Sequence, residues 1–125
     1  MKRSLIRRFE KIVGRQRCLY EPEDLYAYSH DCFARGKPDL VLIPENVQEV
    51  SQILQLADHE RIPVTPRAGG TSLSGMAAAV EGSIVLAMNR MNRILEISKE
   101  DRLALVEPGL VTLKLHQAVE EMGMY

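Results

Sequence analysis

Only two cysteines, Cys18 and Cys32, occur in the 125 residues. They form no C-x-x-C pair and have no histidine at a zinc-ligand spacing, so the expectation is two free thiols in a reducing compartment. An excess of charge is also missing. The net charge of -1 gives no electrostatic basis for binding nucleic acid or an anionic membrane. Even the basic start, MKRSLIRRFEKIVGRQR, includes acid and helical spacing. No apolar h-region marks a signal peptide. No run of about 18 apolar residues marks a membrane span. The expected location is therefore the cytoplasm. Internal repeats and low-complexity linkers are absent as well.

What is present is one domain's worth of chain at most. Apolar residues make up 46% and charged residues 26%, a globular composition. A chain of this size buries about 65% of its unfolded surface. SLIRRFEKIVG puts Leu5, Ile6, Phe9, Ile12 and Val13 on one helical face, with Ser4 as a cap and Gly14 as a stop. EPEDLYAYSHD predicts a short helical turn from Pro22. LVLI, stopped by Pro44, predicts a buried strand over Leu40 to Ile43. A helix follows, capped by Asn46 with Glu49 three residues later, close to a capping box. Its expected apolar face is Val47, Val50, Ile53, Leu54 and Ala57.

IPVT, SIVLAM, RILEI and LALVE read as further strands, the last two joined by the polar turn SKEDR. A final helix is expected over VTLKLHQAVEEMG, with Thr112 as its cap and Gly123 as its end. Leu113, Leu115, Ala118, Val119 and Met122 are expected to face inward. The order begins as an α/β unit and becomes strand-rich, so the fold class is α+β, with small mixed sheets flanked by helices. GMY resembles the approach to another strand, which suggests part of something longer.

Between IPVT and SIVLAM lies RAGGTSLSG, in which seven of nine residues are Gly, Ala, Ser or Thr. Glycine permits positive φ and close approach of backbone to a ligand. Successive N–H groups in such a turn form an anion nest, and Thr71, Ser72 and Ser74 add hydroxyls. Arg67 either supplies charge or ties the loop down through a carboxylate. Two familiar phosphate loops are excluded. Met76, not lysine, follows Gly75, and Gly69, Gly70 and Gly75 do not fit G-x-G-x-x-G. On composition alone, a diphosphate loop and a tight strand connection remain equally open.

PDLVLIPENVQEVSQILQLADHERIPVTPRAGGTSLSG, followed by GSIVLAMNRMNRILEI and LALVEPGL, resembles the start of the FAD-binding domain of the vanillyl-alcohol-oxidase-type, or PCMH-type, flavoproteins. Within these it is most similar to the glycolate oxidase and D-lactate dehydrogenase group. The resemblance covers residues 20 to 125. It implies an amino-terminal helical segment over residues 1–35 and the first part of the FAD-binding domain over 36–125.

It also implies that Pro66, Arg67, Ala68, Gly69, Gly70, Thr71, Ser72 and Gly75 wrap the FAD pyrophosphate. Pro108 and Gly109 are either a turn beside the flavin or a turn leading into a helix. Asn89 and Asn92 are expected to be turn formers. Relatives that bond their flavin covalently through this loop carry histidine after the paired glycines. Thr71 stands there, so the implied FAD is non-covalent.

The implied activity is oxidation of a small 2-hydroxy acid, of glycolate or D-lactate type, with electrons passed on to oxygen, a quinone or a partner subunit. The alternative is a non-catalytic truncated module that folds or docks on partner subunits without binding FAD tightly. Catalytic residues are expected beyond Tyr125. No metal site is expected, since His30, His59 and His116 have no ligand partners. His30 with Asp31 reads either as a pair that hydrogen-bonds near a cofactor or, preferably, as a turn pair.

Overall fold

The two uncharged runs LVLI and SIVLA form the centre of the molecule. The computed structural model describes residues 1–125. Its elements are α1 (Arg3–Val13), a 3-10 turn (Arg15–Arg17), β1 (Cys18–Leu19), α2 (Pro22–Ala27), β2 (Leu40–Leu42), α3 (Val47–His59), β3 (Val64–Arg67), β4 (Ile84–Ala87), β5 (Ile94–Ser98), β6 (Leu103–Val106) and α4 (Thr112–Glu120). The main sheet has the order β1-β2-β4-β3. β2, β4 and β3 are parallel, in the register Leu40 opposite Ile84 and Val64 opposite Ile84. β1 is antiparallel to β2. β5 and β6 form a separate antiparallel hairpin. The α+β expectation holds.

All residues of β2 and β4 are buried because both faces of the sheet are covered. Unbroken apolar runs, rather than alternation, are what such strands require. On one face Leu40, Leu42, Ile84 and Leu86 meet Phe9 and Val13 of α1 and Ile53 and Ala57 of α3. On the other, Val41, Ile43, Val85 and Ala87 meet Ala79, with Leu25 and Tyr28 packed against them. Residues 1–35 thus contribute a strand and a helix to the same sheet and core. No helix is long and apolar enough to cross a membrane.

Several local expectations hold. Gly14 ends α1, and Asn46 Oδ1 accepts the Glu49 amide at 2.9 Å to cap α3. Glu49 accepts not from the Asn46 amide but from that of Glu45, one residue earlier, at 2.9 Å. Others fail. Ser4 does not cap α1, which begins after Lys2, and Thr112 is the first residue of α4, whose cap position is Val111. Val47 is 69% exposed and Leu54 is also exposed. Successive helical residues turn by roughly 100°, which leaves both well off the Ile53 direction. Leu56 packs on the core instead. No α4 residue is fully buried, and Leu113 is 61% exposed. α4 lies beside the hairpin, not on the sheet.

Arg17 fastens α3 to the start of the sheet. Its Nη1 and Nη2 donate to Glu49 at 2.6 and 2.9 Å, and Nη1 also reaches the Ile43 carbonyl at 3.2 Å. The Arg17 hydrogen bond, ahead of the opposing effect of burial, holds the Glu49 carboxyl below the usual range. A depressed folded pKa means stability that is present above the unfolded value of about 4.3 and lost as pH falls through the folded one. The stability advantage of wild type over Glu49→Gln, measured by urea unfolding, is therefore expected to be full at pH 7 and to vanish well below pH 4. An advantage independent of pH would contradict the ion pair.

Candidate functional site

β3 and β4 are parallel neighbours, yet residues 68–83 join them without a helix. The connection starts at the carboxyl end of the parallel strands, where open α/β sheets receive ligands. β3 is an edge strand, which is why it tolerates Pro66 in the ladder. The Met88 amide donates to the Arg67 carbonyl at 2.8 Å and fixes the point at which the chain leaves the sheet.

Beyond that point the backbone is unpaired. None of the amides from Ala68 to Leu73 donates to a protein acceptor. Buried N–H groups almost always find partners, so a run of free donors belongs where solvent or a ligand completes them. These donors border an open cavity of about 350 Å³, lined by residues 66–72 together with Met76 and Ala77. Gly75 is not on this lining. It sits with φ 75° against Ala34. Ser72 Oγ is shared with Ser74 Oγ at 3.0 Å, and the Thr71 hydroxyl has no protein partner.

Gly70 has φ 70°, and a Cβ there would run into the Arg67 guanidinium. The position therefore combines a left-handed backbone with a cation packed beneath it. Arg67 is tied down, but not by the carboxylate the sequence suggested. Its Nη1 donates to the His30 carbonyl at 2.7 Å, and the guanidinium lies 5.9 Å from the Tyr28 ring centroid. Four of its five N–H donors remain for other acceptors.

Residues 30–31 are not on the lining but hydrogen-bond to both ends of the loop. Asp31 Oδ1 accepts the Phe33 and Ala34 amides, both at 2.8 Å, and Oδ2 accepts the Ala77 amide at 3.2 Å. The Phe33 and Ala34 bonds, then that of Ala77, and the nearby Arg67 charge hold its carboxyl below the usual range. The turn pair expected at His30 and Asp31 is present, and it also clasps the glycine-rich loop.

Pro108 and Gly109 are not on the cavity lining, and Gly109 packs against Met88, whose amide holds the Arg67 carbonyl. The Gly109 amide donates to the Met91 carbonyl at 2.8 Å, and a Cβ on Gly109 would collide with the Met88 carbonyl. Close backbone packing thus accounts for this glycine. Asn92 Nδ2 donates to the Asn89 carbonyl at 3.0 Å, as expected of turn formers. Cys18 is buried and Cys32 exposed, both free, and burial pushes the Cys18 thiol up to about 11. A larger cavity, about 680 Å³, lies between the hairpin and α4. It shares no lining residue with the loop, and its lining mixes Leu103, Leu115 and Val119 with Lys99, Arg102 and His116.

An unpaired amide run beside an arginine, at the carboxyl ends of parallel strands, is an arrangement that can accept an anionic group. Residues 38–125 match the FAD binding domain family, and the chain belongs to that family. It is 40% identical over 101 residues to the glycolate oxidase subunit GlcD of Bacillus subtilis, covering 81% of this chain and 22% of that protein. It is 33% identical over 125 residues to the D-2-hydroxyglutarate dehydrogenase of Stutzerimonas stutzeri, covering 98% and 27%. Among solved structures, 4-ethylphenol oxidase from Gulosibacter chungangensis superposes with a TM-score of 0.85 at 29% identity, covering 96% of this chain and 24% of that one. p-Cresol methylhydroxylase superposes at 0.83 and 22% identity, covering 97% and 25%, which supports the fold. The chain thus spans about a quarter of the length of these relatives. The PCMH-type resemblance is upheld, and the cofactor of the family is FAD.

Proposed function

We propose that residues 66–72 grip the diphosphate of FAD, with Gly75 shaping the loop, in a flavin-dependent oxidoreductase acting on a small 2-hydroxy acid. The observation that carries this reading is the run of free amides from Ala68 to Leu73 around an open cavity. A diphosphate presents several oxygens that want convergent donors, and small side chains leave room for them. The Arg67 guanidinium offsets the negative charge, and Thr71 adds a free hydroxyl. The Pro108–Gly109 turn backs the loop through Met88.

FAD, when bound, supplies a hydride acceptor, and the protein supplies placement and electrostatics. Thr71, not histidine, follows the paired glycines, which supports a flavin that is not bonded through this loop. The names of the relatives, D-2-hydroxyglutarate dehydrogenase, D-lactate dehydrogenase and a glycolate oxidase component, favour a 2-hydroxy-acid substrate. Electron transfer to a partner subunit belongs to the same proposal.

Titrating FAD into the purified protein tests it. Saturable quenching of flavin fluorescence is expected, with a melting temperature that rises with FAD by mass action. ADP, which keeps the diphosphate, should compete far more strongly than riboflavin, which lacks it and should bind only weakly. Absence of saturable binding would overturn the reading in favour of a non-catalytic docking module.

A further inference from the structure

We propose that Asp31 is a positioning residue that sets the width of the cofactor loop, an inference that rests on the reading of this loop as the FAD diphosphate grip. The loop has two feet. At one, Arg67 Nη1 donates to the carbonyl of His30 at 2.7 Å. At the other, the Ala77 amide donates to Oδ2 of Asp31 at 3.2 Å. Two adjacent residues therefore hold both ends of a segment whose intervening backbone is largely unpaired. Asp31 can serve as an anchor because it is itself fixed, through Oδ1, by the Phe33 and Ala34 amides. The tie continues where the Lys37 amide donates to the Ala79 carbonyl at 2.8 Å.

A free loop loses backbone entropy when it closes on a ligand, about 1–2 kcal/mol per residue fixed. Holding the feet beforehand removes part of that cost, which is how preorganisation raises affinity. The carboxylate does not act on the anion by charge. A bare negative group near a diphosphate would repel it, but Asp31 is occupied by three N–H donors and faced by Arg67. Asp31 and His30 precede residues 38–125, the span that matches the family, while the loop they hold lies within it.

Asp31→Asn separates the two tasks of the side chain. Its Oδ1 still accepts from Phe33 and Ala34, but an NH2 group now faces the Ala77 N–H, so only the tie to the loop is broken. Dissociation constants of the purified protein for FAD, ADP and riboflavin, with amide hydrogen exchange, provide the test. Loss of one charge-assisted hydrogen bond predicts binding of FAD and ADP about tenfold weaker. Riboflavin binding should be unchanged, and exchange should be faster within residues 68–79. A merely structural role would weaken all three ligands alike.

If the Asn variant does not fold, Asp31→Ser replaces it, since a hydroxyl can hold the turn but is too short to reach Ala77. Unchanged ADP affinity in the Asp31 variant, while Gly70→Asp abolishes ADP binding, would overturn the role of Asp31 and leave the loop reading intact. Unchanged ADP affinity in Gly70→Asp would instead overturn the loop reading itself.

Discussion

Gly70→Asp is expected to weaken FAD binding by a hundredfold or more while leaving the protein folded. Three effects act together. A residue with a Cβ is strained at φ 70°, at a cost of roughly 1–2 kcal/mol. The new side chain falls on the Arg67 guanidinium and displaces it from the His30 carbonyl. The new carboxylate then pairs with that guanidinium, so the local charge offered to a diphosphate changes from positive to neutral. A total of about 3 kcal/mol corresponds to roughly a hundredfold in affinity.

Gly70→Ala carries the strain and the displacement without the charge and should lose about tenfold. The fold should survive both changes, because the position lies on an open loop and the group it strikes is the flexible end of a side chain. Fluorescence titration gives the affinity, and circular dichroism confirms folding. Wild-type affinity in Gly70→Asp would mean that the diphosphate binds elsewhere.

Phe9→Ala is expected to cost about 3–5 kcal/mol in urea unfolding, the usual range for emptying a buried phenylalanine site. Phe9 has no exposed surface and shares one cluster with Leu40, Leu42, Ile53 and Ile84. Domains of this size have total stabilities of about 5–15 kcal/mol, so the variant should stand near the edge of folding. Phe9→Leu keeps most of the volume and should cost less than about 1.5 kcal/mol. A cost below about 1 kcal/mol for the alanine variant would mean that α1 rides on the surface and the core is complete without it.

The buried strands, α1 and α3 were legible because each carries its own periodicity or unbroken apolar run within a short window. β1 was not, since two residues cannot display a pattern, and Cys18 and Leu19 become a strand only by pairing with Leu42 and Val41. The inward face predicted for α4 was a sound helical pattern, but periodicity says which side is apolar and not what covers it. In the structure Leu113 meets solvent. The Ser4 and Thr112 caps failed for a related reason: a capping residue must sit at the helix boundary, and each helix began a residue or more before the expected one.

The site divides in the same way. The glycine-rich loop was visible because small residues, positive φ and free amides are local properties of consecutive residues. Asp31 and the His30 carbonyl were invisible as partners of that loop. Asp31 lies 46 positions from Ala77, and His30 lies 37 positions from Arg67. A hydrogen-bond partner at such a separation leaves no periodic or compositional trace.

The amino-acid order by itself determined the α+β class, the central strands, the capped α3 and the glycine-rich connection between β3 and β4, because each follows from interactions among near neighbours. Tertiary structure alone decided that the first 35 residues complete the sheet and core, that Gly109 serves close backbone packing, and that two residues of an unremarkable turn brace the loop at both feet. Those outcomes depend on contacts between distant segments, which exist only once the chain has closed on itself.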